Sequence, residues 1–216
     1  KRQEYIHGGV SRNVVEDIAN IELRPTFVGI VDDSALGEDV VKKLKNHKVN
    51  TDYVMTMPGG MGTWLAVFDH NGDLAGSISQ RPNLMPILGL LEEKGDEIFA
   101  NADSVIVEVD MDKDIIKKVV ALAKQYNKKL YGVVSNMSIA VERRDFLKHF
   151  DCFICNQLEA GMLFMEDYAD KSPEELRDIL SKRVILGKIP AMIVTMGGNG
   201  AVYACLLYTS PSPRDR

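Results

Sequence analysis

Three short stretches of the chain carry residues whose types and spacing could do chemistry. The first is GGVSRN, Gly8 to Asn13. Paired glycines let backbone amides approach a ligand without Cβ hindrance, and an asparagine amide beside a helix start can bond hydroxyls. Such a corner would suit a polyhydroxylated ligand; the same residues would also make a tight turn whose asparagine caps a helical run from Val14 to Ile21. The second is NQLEA, Asn156 to Ala160. Asn156 and Glu159 have the spacing of a capping box, and an amide and a carboxylate at a strand end also suit Mg²⁺ held through water near phosphate oxygens. The third is TMGGNGA, Thr195 to Ala201. It lacks the lysine and spacing of a P-loop and is not G-x-G-x-x-G. What remains is a hydroxyl and glycine amides at a strand exit, able to cradle a phosphate or simply to turn the chain into Val202 and Tyr203.

The elements that must position these stretches read as an α/β series. Phe27–Val31, Ser104–Val109, Leu130–Val134, Cys152–Cys155 and Met192–Met196 are short apolar runs of buried-strand character. Between them lie helical patterns. From Lys113 to Tyr126, Ile116, Val119, Val120 and Ala123 recur at helical spacing with lysines opposite. Ser172-Pro173-Glu174-Glu175 opens another helix with a cap serine, proline at the first position and acids at the positive end. Alternating strands and helices predict a parallel sheet, and in such sheets ligands sit beyond the carboxyl ends of the strands, where the second and third stretches fall. Thr63–Phe68 and Leu74–Ser79 break the rhythm: Asn71-Gly72 between them is a hairpin signal, so the pair is expected as a flap outside the main sheet, the alternative being an antiparallel edge of that sheet.

The totals narrow the function classes. A chain of 216 residues with net charge −5 has no long-range attraction for a polyanion, so small molecules rather than nucleic acid are expected as partners. No run reaches the length of a membrane helix and no charged-then-apolar leader opens the chain, so no membrane partner and a cytoplasmic location are expected. Cys152 and Cys155 form a C-x-x-C, but it lies in an apolar run without a second pair or a histidine at ligand spacing, and it is read as part of a buried strand.

The order and spacing of these motifs resemble the PfkB, or ribokinase-like, family of carbohydrate and nucleoside kinases from about Ile6 to Ala204. The family's two glycines and following asparagine match Gly8, Gly9 and Asn13. Its VGxVGxDxxG landmark is echoed with Gly29, Asp33 and Gly37 in step and Asp32 where glycine is usual. Thr63 and the hairpin match its lid strands, Asn156 and Glu159 its N-x-x-E, and Thr195, Gly197 and Gly200 its [ST]-x-G-x-x-G turn. The resemblance implies a three-layer α/β sandwich with a mainly parallel sheet and a small antiparallel β lid, from residues 1–6 and 63–79. It implies ATP-dependent phosphorylation of a sugar or nucleoside hydroxyl with ATP and Mg²⁺ as cofactors, and a homodimer through the lid. Gly8, Gly9 and Asn13 would bind the acceptor, Asn156, Thr195, Gly197 and Gly200 the nucleotide, and Glu159 the metal. Arginine before the asparagine in GGVSRN is similar to pseudouridine kinases. The alternative is an α/β module that binds a sugar or nucleoside without turning it over.

Two of the family's pieces find no match: an opening strand with an acidic residue that grips the sugar, and a G-A-G-D motif carrying the catalytic aspartate after the nucleotide turn. Asp33 and Asp110 are poor substitutes for that base. No catalytic residue is therefore assigned, and the chain as it stands is expected to be inactive. Residues 205–216 resemble one frame of a transposase adapter, so the domain is expected to occupy residues 1–204 and the tail to be foreign to the protein.

Overall fold

The computed structural model describes residues 6–68, 70 and 74–206, and these fall into two compact units divided between Leu90 and Leu91. The expected lid residues 1–5, the Asn71-Gly72 turn and the tail 207–216 lie outside the described residues.

In the first unit, helix α1 (Val10–Asn20) leads into strand β1 (Thr26–Val31), helix α2 (Ala35–Asn46) and strand β2 (Asn50–Thr56). β1 and β2 run parallel, with Gly29 opposite Val54 and Val31 opposite Thr56. Val15, Val31, Val40, Leu44 and Val49 bury together to form the core of this unit. Asp32, the departure from the glycine landmark, organises the next turn: its Oδ1 accepts from Ser34 N at 3.1 Å and Ser34 Oγ at 2.5 Å. Ser34 in turn caps α2 by accepting from Leu36 N and Gly37 N. The run NTDYVMT of β2 carries no continuous apolar stretch and was not expected as a strand; its partner β1 supplies the ladder that holds it.

Strands β3 (Thr63–Phe68) and β4 (Leu74–Gln80) pair antiparallel as a sheet of their own, separate from the parallel ladders. The flap expectation therefore holds over the edge-strand alternative. Leu65, Val67 and Ile78 share one face by strand alternation and are exposed.

The second unit begins within helix α3 (Pro86–Ala100) and continues through β5 (Ser104–Glu108), α4 (Lys113–Gln125), β6 (Lys129–Val133), a short α5 (Met137–Ala140) and a 3₁₀ segment, Val141–His149. It closes with β7 (Cys152–Asn156), α6 (Gln157–Phe164), α7 (Pro173–Gly187), β8 (Ala191–Thr195) and β9 (Ala201–Cys205). The sheet order is β5-β6-β7-β8-β9, parallel except for β9 against β8. Ile115, Ile116, Leu130, Phe150, Phe153, Leu176, Leu180 and Met192 are fully buried in its core. Ser172 caps α7 with Pro173 at its start, as the sequence predicts, and Glu175 completes a capping box. β9 was not expected as a strand. It runs through Cys205, whose side chain is buried, and Leu206 N still donates to Pro190 O at 3.1 Å, so the boundary drawn after residue 204 falls inside this strand.

Candidate functional site

In parallel strands the carboxyl ends share one rim of the sheet, and the second unit sets two of the sequence motifs along it. β7 ends on Asn156 and β8 ends on Thr195, and the register makes these two residues direct Cα partners. Thr195 Oγ1 donates to Cys155 O across the ladder at 3.5 Å. The rim is thus lined by an amide and a hydroxyl side by side, both on exposed residues.

Beyond Asn156 the chain enters α6 through a complete capping box: Asn156 Oδ1 accepts from Glu159 N at 2.8 Å, and Glu159 Oε2 accepts from Asn156 N at 2.7 Å. The carboxylate is thereby held at the rim, beside the positive end of the helix. Gln157, the next residue, donates to the carbonyls of Tyr168, Ala169 and Lys171 and pins the following loop to the first turn.

Beyond Thr195 the chain folds back through a 3₁₀ turn, Gly197–Asn199, closed by Met196 N donating to Gly200 O at 2.8 Å. Gly197 has φ 57° and Gly200 has φ 83°, conformations that favour glycine. A Cβ on Gly197, Gly198 or Gly200 would meet nothing within 4 Å, while inside the turn Asn199 N donates to Met196 O and Gly200 N to Gly197 O, each at 3.1 Å.

At the other end of the rim stands a residue that the sequence reading treated only as a poor base. Asp110 follows β5, is 2% exposed, and accepts from the backbone N–H groups of Ser135 at 3.0 Å and Asn136 at 3.1 Å. It holds the turn after β6 in place. An acid directly beyond an apolar strand was the available signal, but its donors come from the turn after a different strand.

Gly8, Gly9 and Asn13 lie in the first unit. The helix there starts earlier than the sequence pattern suggests: α1 begins at Val10, Gly9 is its N-cap with φ 105°, and Asn13 N donates to Gly9 O at 3.0 Å. Asn13 is therefore an exposed first-turn residue, and its reading as the cap of a helix from Val14 is corrected. Gly8 and Gly9 form the corner before the helix, and a Cβ on Gly8 would meet nothing within 4 Å. Beside α2, a cavity of about 580 Å³ is lined by Asp32, Asp33, Glu38, Lys42 and Lys45 among others, and includes none of the three corner residues.

Cys152 and Cys155 are free and buried, and alternation along β7 points them to opposite faces. Burial, with the Glu159 charge second, pushes the Cys155 thiol well above its ordinary range. Such a thiol is inert rather than nucleophilic. Among the described residues no group of three or more His, Cys, Asp or Glu side chains is placed to hold a metal ion. The donor set at the rim, one carboxylate with an amide and a hydroxyl, instead fits Mg²⁺ bound mainly by water and phosphate oxygens. Among the described residues no helix is long and apolar enough to cross a membrane.

The family model for pfkB family carbohydrate kinase matches residues 1–211. A guanosine-inosine kinase of Exiguobacterium acetylicum is 32% identical over 206 residues, covering 92% of this chain and 65% of that protein. Among solved structures, Arabidopsis thaliana ribokinase complexed with ribose and ATP superposes with a TM-score of 0.74 at 19% identity, over 94% of this chain and 64% of that one. Adenosine kinase from Sinorhizobium meliloti gives 0.71 at 18% identity, over 92% and 61%. The chain thus spans about two thirds of the length of these relatives. The mostly parallel sheet and the separate antiparallel pair are those of the ribokinase-like α/β fold. The chain belongs to the pfkB family of carbohydrate kinases.

Proposed function

We propose that the protein binds ATP and a nucleoside and serves transfer of the γ-phosphoryl group to a nucleoside hydroxyl. The observation that carries this reading is the register that sets Asn156 beside Thr195 with the glycine turn directly beyond. A nucleoside is favoured over a free sugar by the similarity to a guanosine-inosine kinase. Bound ATP with Mg²⁺ supplies the phosphoryl group and neutralises the charge that develops on it. Thr195, Gly197 and Gly200 would line the phosphates with Asn156, and Glu159, already aimed by its cap, would hold the metal through water. Gly8, Gly9 and Asn13 would bind the acceptor's hydroxyls. No G-A-G-D follows the turn within these residues, so binding without turnover is the expected behaviour of the 216-residue chain. A homodimer through the β3–β4 pair is part of the proposal, with the exposed Leu65, Val67 and Ile78 as its face.

Calorimetry tests the reading. Guanosine should bind, and a non-hydrolysable ATP analogue should bind more tightly with Mg²⁺ than without it. Absence of nucleotide binding at millimolar concentration would refute the kinase reading. A second reading is favoured by Arg12 in GGVSRN: preferential binding of pseudouridine over guanosine and inosine would select it.

A further inference from the structure

We infer that Arg12 is a positioning residue that sets the Gly8–Gly9 corner, and that α2 shares in the task through His7. The inference rests on the acceptor reading of that corner. Arg12 is 15% exposed, turned inward rather than toward solvent. Its Nη1 donates to the carbonyl of His7 at 2.9 Å, and its Nη2 is paired with the Glu16 carboxylate one turn further along α1. One guanidinium thus ties the peptide immediately before the glycines to the body of the helix immediately after them.

His7 is held from the other side. Its Nε2 lies 2.6 Å from Asp39 Oδ2 on α2, where Lys43 Nζ approaches the same oxygen at 3.3 Å. Glu16 Oε1 in turn faces His47 Nε2 at 2.9 Å, beyond the end of α2. The corner is therefore fixed at His7 and again from Val10 onward, and Gly8 and Gly9 are the residues between the two anchors. Glycine pairs have the widest backbone freedom of any sequence, so without such anchors the amides at this corner would sample many orientations. Gly9, as N-cap, has no side chain to cap α1, and the Arg12 clamp ties His7 to the first turns of the helix. A lysine has one point of attachment and cannot serve the His7 carbonyl and Glu16 with a rigid planar fork. On this geometry Arg12 acts on the backbone and does not itself read the ligand.

The test uses the whole chain with R12A, R12K and E16Q, reading amide hydrogen exchange without ligand and guanosine affinity by calorimetry. Exchange at the Asn13 amide, which bonds the Gly9 carbonyl, should quicken at least about tenfold in R12A and R12K, the effect of losing a charge-assisted hydrogen bond. Amides of β5–β9 should be unchanged. The guanosine dissociation constant should rise about tenfold in both, and less than about threefold in E16Q, which keeps the bond to His7. Unchanged Asn13 exchange in R12A and R12K overturns the proposal, as does a loosened corner that binds guanosine as tightly as wild type, or full rescue by R12K. If R12A unfolds, R12K alone decides by the same criteria. If the wild-type chain binds no guanosine, the nucleoside reading falls while the exchange measurement still decides the clamp.

Discussion

Asn156 and Thr195, the last residues of β7 and β8, stand directly opposite each other in the parallel ladder, and the Thr195 hydroxyl reaches the carbonyl of Cys155. Two residues far apart in the chain thereby become one surface at the carboxyl rim, where strand ends leave backbone groups for a ligand. The capping box on one side and the glycine turn on the other then extend this surface in both directions.

Separating the two roles of the box tests the metal assignment. N156A removes the cap and should lower stability by about 1 kcal/mol, measured by urea denaturation. E159Q keeps an oxygen that can accept from Asn156 N, so stability should change little, whereas Mg²⁺-dependent nucleotide affinity should fall about tenfold as the carboxylate is lost. Equal nucleotide affinity of E159Q and wild type with Mg²⁺ present would remove Glu159 from the site.

The glycine turn should be sensitive to conformation rather than to crowding. A Cβ at Gly197, Gly198 or Gly200 meets nothing, yet only Gly197 and Gly200 have positive φ. Alanine at either should cost about 1 to 2 kcal/mol, and Gly200, with φ 83° and ψ −134°, should suffer the more. G198A should be close to neutral in the same denaturation experiment.

Asp110 should prove more important for stability than its neighbours on the rim. D110A strips two backbone donors, at Ser135 and Asn136, of a buried acceptor and should cost about 2 to 3 kcal/mol. Thermal unfolding of D110A beside D114A, an exposed acid on α4, provides the comparison; equal midpoints would show that the turn after β6 holds without Asp110.

The start of α7 should carry a pH signature. The backbone N–H of Ser172, then Lys171, hold the Glu175 carboxyl below its ordinary range. A carboxylate depressed in the folded state contributes stability above its unfolded pKa of about 4.3, and that contribution disappears as pH falls through the folded value. The difference in melting temperature between wild type and E175Q should therefore be present at pH 7 and shrink to nothing in acid below the folded pKa. A difference that persists unchanged into acid would show that charge at position 175 plays no part.

What was legible in the sequence was whatever is encoded within a few residues. The apolar runs became β1, β5, β6, β7 and β8, because a buried strand must be continuously apolar. The Asn156–Glu159 capping box and the Ser172 cap with Pro173 behind it formed as spaced, since donor and acceptor lie within one helical turn. The motif order also led to the family. Tertiary structure decided the rest. NTDYVMT and AVYAC are strands only because β1 and β8 offer them a ladder, and α1 begins at Val10, with Gly9 as its N-cap, rather than at Val14. The pairing of Asn156 with Thr195, the amides that donate to Asp110 and the Asp39 carboxylate that meets His7 all depend on register and packing between segments distant in sequence. Local spacing cannot encode such contacts, because they exist only once burial of the intervening apolar residues has brought the segments together.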